Sequence, residues 1–206
     1  LVRDDGSKDQ TCAILSEYAS TYQNIEWYAA ENVGFVRSFS LLVKMALDHG
    51  TSADFYAFAD QDDIWMPNKV EVCMKDLEEY DCVLHDFMHV DESENVIKPL
   101  HYDGSFRPKN YLMRRGMHFG CALAFRKDVL DYVLPFPKHL LLHDYWLGIM
   151  AESLGRFYFE NKPLLKYRIH QQNTSTTRNS LSFKISYRAV SLFNVIKRVA
   201  AYKLCH

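Results

Sequence analysis

The sequence lacks a long hydrophobic segment, a secretion signal and a disulfide or zinc-binding cysteine pattern. Its 206 residues contain no apolar run of the length that a membrane span needs, about 18 residues, and its N-terminus lacks the charged-then-apolar layout of a signal peptide. The five cysteines are odd in number and show no CxxC or Cys/His ligand spacing. We therefore expect neither a disulfide framework nor a structural zinc site, and we expect a reducing, cytoplasmic compartment.

Acidic residues are also lacking after Glu160. Residues 1–160 hold 15 basic and 26 acidic residues, a net charge of −11, whereas the remainder holds nine basic residues and a charge of +9. An acidic body repels nucleic acid, so we expect no nucleic-acid partner. A basic tail attracts anionic surfaces, either phosphorylated ligands or a membrane leaflet.

Hydrophobic residues make up 48% of the chain, enough to bury the core of one domain of ordinary size. Strand, turn and helix signals follow one another repeatedly, which predicts an α/β domain with a mostly parallel sheet. The predicted strands are LVR, IEWYA, DFYAFAD, DCVLHDFMHV, GCALAF and PLLKYRIH. The predicted helices are a segment with apolar residues from Cys12 to Tyr22, 35–47, 67–79, KDVLDYVL and HDYWLGIMAESLG. Because the chain begins within a strand, we expect it to be a fragment that lacks the first strand of such a sheet.

Two acidic clusters follow predicted strands. Asp4 and Asp5 end the first, and Asp60, Asp62 and Asp63 follow the apolar FYAFA segment. Ligands collect at the carboxyl ends of strands in open parallel sheets, so we expect both clusters at one rim. Crowded carboxylates are unfavourable unless a cation or hydrogen-bond donor groups offset their repulsion, and Mg²⁺ or Mn²⁺ with a diphosphate provides such a cation. Turn formation and helix capping are the alternative roles of these acids, and they are better supported for Asp4 and Asp5 than for the second cluster.

Asp144 and a late basic pair are further candidates. Asp144 opens a predicted helix after an apolar segment, where it serves either as a helix cap or as a general base. Arg168 and His170 are two residues apart on a predicted strand, where they face the same side and are suited to neutralise a departing diphosphate. Arg37 is a weaker candidate for the same role, because a solvated helix face also explains it.

Six segments occur together in a recognisable order: VRDDGSKDQT, ENVGFVRSF, FADQDDIWMPNKV, GCALAF, HDYWLGIMAESLG and YRIHQQNTS. Together they resemble glycosyltransferase family 2, of the three-layer α/β/α GT-A (Rossmann-like) fold, and above all bacterial rhamnosyltransferase-like members that build surface polysaccharides. The resemblance covers roughly residues 1–176 and implies a catalytic domain there. Residues 177–206 lie outside it, and their own pattern predicts a basic amphipathic helix. The QxxRW signature of processive members is absent, which implies addition of one sugar per encounter.

The resemblance also implies residue roles. Asp5, with Asp4 beside it, would contact the nucleobase or ribose of a nucleotide-diphosphate sugar. Asp60 and Asp62 would form the DxD element, with Asp62 the more direct ligand of Mn²⁺ or Mg²⁺. Asp144 would be the catalytic base, although His143 replaces the customary glutamate before it. The remaining implied positions are Arg168 and His170 near the diphosphate and metal, and Gly120 and Cys121 lining the sugar pocket.

The sequence is also compatible with two other functions and with two roles for its C-terminal tail. A non-catalytic nucleotide-sugar or carbohydrate-binding module would keep the same pocket, and a nucleotidyltransferase would share the sheet and the metal-binding acids. The tail from about Ser180 to Leu204 carries an apolar stripe of Leu181, Ile185, Leu192, Ile196 and Val199. This stripe predicts either a helix docked on the catalytic body or an interfacial helix that brings the enzyme to a lipid-linked saccharide acceptor.

Overall fold

A computed structural model describes residues 1–48, 53–102, 118–138, 140, 142–170 and 181–205, with only the backbone described for 181–188. The chain divides into two compact units. The first comprises residues 1–52 with 139–143, and the second comprises residues 53–138 with 144–206. The predicted boundary between residues 176 and 177 lies outside the described residues.

The first unit is built on a β-α-β element. Strand β1 (Val2–Asp4) and strand β2 (Trp27–Ala29) are parallel, and helix α1 (Thr11–Thr21) connects them. Parallel neighbours require a crossover connection, which α1 supplies. Helix α2 (Phe35–Asp48) follows, so the predicted helix 35–47 is confirmed and extends one residue further.

The second unit contains a six-stranded sheet. Its strands run in the order β3-β7-β5-β8-β4, and β6 pairs with β5. The strands are β3 (Phe55–Ala57), β4 (Ile64–Trp65), β5 (Cys82–Val90), β6 (Val96–Lys98), β7 (Leu123–Arg126) and β8 (Phe157–Arg168). The helices are α3 (Lys69–Asp76), α4 (Val129–Val133), α5 (which begins at His143 and ends at Leu154) and α6 (Leu181–Cys205), with a 3₁₀ turn at Gly120–Ala122.

The predicted α/β class is confirmed, and the pairing is mixed. Among the described strands, β1/β2 and β5/β8 pair in parallel, whereas β3/β7, β4/β8, β5/β6 and β5/β7 pair antiparallel. A buried strand has the same apolar pattern in either direction, so the sequence signals gave the strand positions and not their directions.

The core of the second unit lies along β5, which is flanked by β7 and β8. Cys82, Val83, Leu84 and Phe87 of this strand are fully buried. The segment before the second acidic cluster differs from prediction, because β3 is short and half-buried and pairs only with β7 among the described strands. Its apolar side chains therefore do not make it a buried central strand, although Phe58 just after it is buried.

Several element boundaries shift by a few residues. Helix α3 begins at Lys69 and not at Pro67, because Pro67 lies in a turn closed by the Lys69 amide and the Met66 carbonyl. The predicted strand GCALAF begins with the 3₁₀ turn and becomes β7 only at Leu123. Gly155 ends α5 as predicted, with its amide bonded to the Ala151 carbonyl.

Helix α6 packs on α4 by a polar and an aromatic contact. The Arg198 guanidinium donates to the carbonyls of Tyr132, Leu134 and Pro135 at 2.7–3.1 Å, and the Tyr202 ring lies 5.5 Å from that of Tyr132. None of the helices in the described parts of the chain is both long enough and apolar enough to span a bilayer.

Candidate active site

In the first unit, the carboxylates of Asp4 and Asp5 both accept hydrogen bonds from backbone amides. Asp4 is buried, and its carboxylate accepts hydrogen bonds from the amides of Gly6 and Ser7 at 3.1 and 3.0 Å. Hydrogen bonding by the Ser7 side chain is the largest cause that holds the pKa of Asp4 below its ordinary value, against the opposing effect of burial. These bonds fix the turn that follows β1, and Gly6 adopts a φ of 88° there.

Asp5 fixes the loop before α2. Its carboxylate accepts hydrogen bonds from the amides of Val33 and Gly34, both at 2.9 Å, and forms a salt bridge with Arg3. Burial raises the pKa of Asp5, but the Val33 amide, Arg3 and the Gly34 amide outweigh it and leave the pKa lowered. The turn-forming role therefore holds for both acids, and their contact with a nucleotide stays a prediction.

Two other candidates also lie in the first unit. Arg37 is exposed on the first turn of α2. His143, where the resemblance implied a glutamate, is buried and stacks on Phe39 with ring centroids 4.3 Å apart. The ring of His143 thus serves packing within its own unit.

In the second unit, the acids of the FADQDDIW segment are close enough to perturb one another. Burial, together with the charges of Asp63, Asp62 and Asp144, raises the pKa of Asp60 to about 7, against the lowering effect of Lys69. Burial likewise raises the pKa of Asp63 to about 6. The structure therefore brings the predicted DxD pair together with the predicted base Asp144, which is distant in sequence.

Asp62 is held from the far end of β8. Its Oδ2 lies 2.8 Å from Nε2 of His170, and its backbone carbonyl accepts a hydrogen bond from Nε of Arg168 at 3.0 Å. The Arg168 guanidinium also donates to the carbonyl of Glu92, and its amide donates to Oδ1 of Asp63. Arg168 thus holds the acidic segment in place through the backbone carbonyl of Asp62 and the carboxylate of Asp63. The predicted contact of Arg168 with a diphosphate is a different role and stays a prediction.

The potential metal ligands fall into two groups. Oxygens of Asp60 and Asp63 and the sulfur of Cys121 lie within 4.8 Å of one another. The other predicted ligands, Asp62 and His170, pair with each other. Asp63 was not assigned a ligand role from the sequence, although it lies in the same acidic run.

The chemistry of these groups fits a hard divalent cation. Oδ2 of Asp63 is buried, and within the described residues it has no hydrogen-bond donor. Burial raises the pKa of the Cys121 thiol well above its usual value, which disfavours a thiolate ligand. Carboxylate oxygens without a soft thiolate suit Mg²⁺ or Mn²⁺.

Asp144 lies in the first turn of α5. One of its oxygens accepts the Tyr145 amide at 2.7 Å, and the other accepts the Gly120 amide at 3.0 Å. Gly120 and Cys121, the residues predicted to line a sugar pocket, are both buried in the 3₁₀ turn. Gly120 donates its amide to Asp144, and the Cys121 sulfur lies within 4.8 Å of carboxylate oxygens of Asp60 and Asp63.

A second contact holds this turn against α5. His118, two residues before Gly120, is buried, and its Nε2 lies 2.7 Å from Oε1 of the buried Glu152. Its ring also packs directly on Gly148, where a Cβ atom would lie 2.3 Å from the imidazole carbons. The sequence did not predict this packing, because His118 and Glu152 are 34 residues apart and no local pattern links them.

The family model described as glycosyl transferase family 2 matches residues 1–134. The chain belongs to glycosyl transferase family 2. The sequence-based prediction of the family, of the GT-A fold and of a glycosyltransferase enzyme is therefore confirmed.

Curated relatives agree with this family 2 assignment. The chain is 26% identical to a dTDP-rhamnosyl transferase, RfbG, of Shigella flexneri, over 93% of this chain and 69% of the relative. It is 23% identical to an uncharacterized glycosyltransferase, RT0329, of Rickettsia typhi, over 88% of this chain and 58% of that protein. The matched regions thus span between just over half and about two thirds of these relatives.

Solved structures support the fold of this family 2 chain. S. aureus TarS, residues 1–349, superposes with a TM-score of 0.61 at 20% identity, covering 81% of this chain and 50% of TarS. The mannosyltransferase PcManGT of Pyrobaculum calidifontis, in complex with GDP-Man and Mn²⁺, superposes with a TM-score of 0.56 at 13% identity, covering 97% of this chain and 63% of the other.

Proposed function

We propose that this family 2 chain is the catalytic part of an inverting, non-processive glycosyltransferase that depends on Mn²⁺ or Mg²⁺. The observation that carries the proposal is the convergence of Asp60, Asp62 and Asp63 with Asp144 in one unit, where the charges of Asp62, Asp63 and Asp144 raise the pKa of Asp60 and the charge of Asp62 raises that of Asp63. Such a set combines a potential metal site with a potential general base.

In the proposed reaction, Asp144 accepts the proton of an acceptor hydroxyl. The acceptor oxygen then forms a bond to the anomeric carbon as the bond from that carbon to the diphosphate oxygen breaks, which releases a nucleoside diphosphate and inverts the anomeric configuration. The Gly120 and Tyr145 amides support this role, because their hydrogen bonds hold the Asp144 carboxylate in a fixed orientation.

Asp60, Asp62 and Asp63 would hold the divalent ion. When bound, the ion supplies positive charge that neutralises the diphosphate of the donor and of the leaving group. His170 is placed either to bind the ion or to orient Asp62, from which it is 2.8 Å away. Arg168 keeps the acidic segment in position through the Asp62 carbonyl.

The donor is proposed to be a nucleotide-diphosphate sugar. dTDP-rhamnose is the first candidate, because the Shigella flexneri relative is a dTDP-rhamnosyl transferase. Asp4, Asp5 and Arg37 are the proposed donor-binding residues of the first unit, and Gly120 and Cys121 those near the sugar. The acceptor is proposed to be a saccharide or lipid-linked saccharide in cell-surface polysaccharide synthesis.

The proposal is tested by assaying nucleoside-diphosphate release with a panel of donors, with and without Mn²⁺. We expect metal-dependent release with one donor class, and loss of release in Asp62→Ala. Donor binding without turnover at any metal concentration would instead identify a nucleotide-sugar-binding module and contradict the proposal.

We also propose that the enzyme works in the cytoplasm, attached peripherally to the inner face of the plasma membrane. The five cysteines are free, which agrees with a reducing compartment. On the described part of α6, every exposed residue is apolar or lysine; the large apolar ones are Val190, Phe193, Ile196 and Leu204, and the lysines are Lys197 and Lys203. An apolar face with basic and no acidic residues suits the interface of an anionic bilayer.

A further inference from the structure

Lys69 is a buried lysine beside the acidic cluster of the second unit. Its exposed fraction is 1%, although it is the first residue of α3. Burying an ammonium group is unfavourable unless hydrogen bonds and opposite charges offset the loss of hydration. The sequence did not identify Lys69 as a candidate, because a lysine in a first helical turn is normally solvated.

The ammonium group of Lys69 has two defined contacts. Its Nζ donates a hydrogen bond to the carbonyl of Cys121 at 2.6 Å. It also lies 4.1 Å from the centre of the Trp65 ring, within the range of a cation–π interaction. Neither partner carries a negative charge, so these contacts orient the ammonium group without neutralising it.

Asp60 and Asp63 are the acids next to this contact: a carboxylate oxygen of each lies within 4.8 Å of the Cys121 sulfur, in the residue whose carbonyl Lys69 binds. The positive charge of Lys69 lowers the pKa of both carboxyls, which are otherwise raised chiefly by burial. Burial in turn lowers the pKa of Lys69 to about 8, and these two acids oppose that effect. Lys69 therefore acts electrostatically on two of the acids proposed to hold a divalent ion.

The ammonium group of Lys69 is also linked to the proposed base, Asp144, through the backbone of the 3₁₀ turn. Lys69 holds the carbonyl of Cys121, and the preceding residue in the same 3₁₀ turn, Gly120, donates its amide to Asp144. One side chain thus contacts the turn that orients Asp144 while it offsets the charge of Asp60 and Asp63.

We propose that Lys69 is the internal counter-cation of this cluster and a positioning residue: it holds the 3₁₀ turn and stabilises Asp60 and Asp63 when no divalent ion is bound. The inference rests on the proposed function. If this is so, the positive charge of Lys69 repels an incoming divalent ion. Removal of that charge should therefore raise the affinity for the ion and lower the stability of the metal-free protein.

Three substitutions separate the charge from the hydrogen bond. Lys69→Gln keeps an N–H donor for the Cys121 carbonyl and removes the charge, Lys69→Met removes both, and Lys69→Arg keeps the charge. The probe is Mn²⁺ alone, with its dissociation constant measured from the free-ion signal in electron paramagnetic resonance. We expect Lys69→Gln and Lys69→Met to bind Mn²⁺ about three- to tenfold more tightly than wild type, and Lys69→Arg to bind as wild type does.

Thermal unfolding of the same proteins supplies a second readout. Without metal, Lys69→Gln should melt below wild type, and saturating Mn²⁺ should raise its melting temperature by more than it raises that of wild type. If Lys69→Gln does not fold without metal, Mn²⁺ should restore its far-ultraviolet circular dichroism; failure to do so overturns the inference.

The outcomes separate the inference from the proposed function. A wild type that binds Mn²⁺, together with Lys69→Gln that binds it with equal or lower affinity, overturns the inference alone, since a merely structural lysine would give that result. A wild type that does not bind Mn²⁺ under any condition contradicts the proposed metal site and the inference with it.

Discussion

The carboxylate of Asp144 accepts a hydrogen bond from the backbone amide of Gly120 at 3.0 Å, across 24 residues of sequence. This bond joins the first turn of α5 to the 3₁₀ turn that also carries Cys121. Because the Lys69 ammonium holds the Cys121 carbonyl, the proposed base and the proposed metal-binding acids share one structural support.

Asp144→Asn tests the proposed base. Asparagine retains an oxygen that accepts the Gly120 amide but cannot take a proton from the acceptor, so we expect the rate of transfer to fall about 100-fold or more while Mn²⁺ binding is kept. The measurement is nucleoside-diphosphate release at saturating donor. Near-wild-type transfer by this variant would exclude Asp144 as the base.

The pH dependence of metal binding follows from the raised pKa values of Asp60 and Asp63, to about 7 and about 6. Between about pH 4 and these values both acids are protonated in the folded protein but ionised in the unfolded chain. The contribution of these acids to the stability of the metal-free protein therefore falls as pH rises through this window.

A divalent ion must displace those protons, so its affinity should rise with pH up to about 7. We expect the increase in melting temperature caused by Mn²⁺ to be small at about pH 5 and to become larger through pH 7. Taking the difference between metal-loaded and metal-free protein at each pH removes contributions from groups remote from the site. A metal-induced shift that does not change with pH would contradict the assignment of both acids as ligands.

Gly148→Ala tests the packing that holds the 3₁₀ turn on α5. Helix propensity alone predicts that this change stabilises the protein by about 1 kcal/mol. The added Cβ would instead lie 2.3 Å from the buried His118 ring, so we expect destabilisation of about 2–4 kcal/mol in the free energy of unfolding.

The measurement is urea denaturation, and Ser153→Ala on the same helix is the matched control, expected to change stability by less than about 1 kcal/mol. A stabilised Gly148→Ala protein would show that His118 moves away at little cost.

The exposed face of α6 is tested by flotation with lipid vesicles. We expect binding to vesicles that contain anionic phosphatidylglycerol, weaker binding to phosphatidylcholine alone, and loss of binding in the Phe193→Glu, Ile196→Glu double variant, because both side chains are more than half exposed and apolar. The matched control is Val70→Glu, which adds a negative charge on the exposed side of α3. Val72→Glu on the same helix is less suitable, because it serves as a control only if that variant folds.

Equal binding by wild type and the α6 double variant would place any membrane contact elsewhere. Absence of binding together with a dimer in sedimentation would assign this face to a second copy of the chain.

The sequence alone determined which family the chain belongs to and where most elements lie. Local signals sufficed for this, because the periodicity of apolar residues marks α2, and Gly155 ends α5 through a contact within one turn. The acidic run at Asp60–Asp63 was found for a similar reason, since its significance depends on residue type and spacing along a short segment.

Tertiary structure decided which groups face one another. The directions of strands in the mixed sheet, the clamp of Arg168 on the Asp62 carbonyl and the contact of the buried Lys69 with the Cys121 carbonyl all depend on contacts between segments far apart in sequence. A residue's type does not encode its desolvation or its distant partners. That is why Lys69, which reads as a solvated helix residue, is fully buried, and why the sequence did not reveal that Asp5 accepts the amides of Val33 and Gly34.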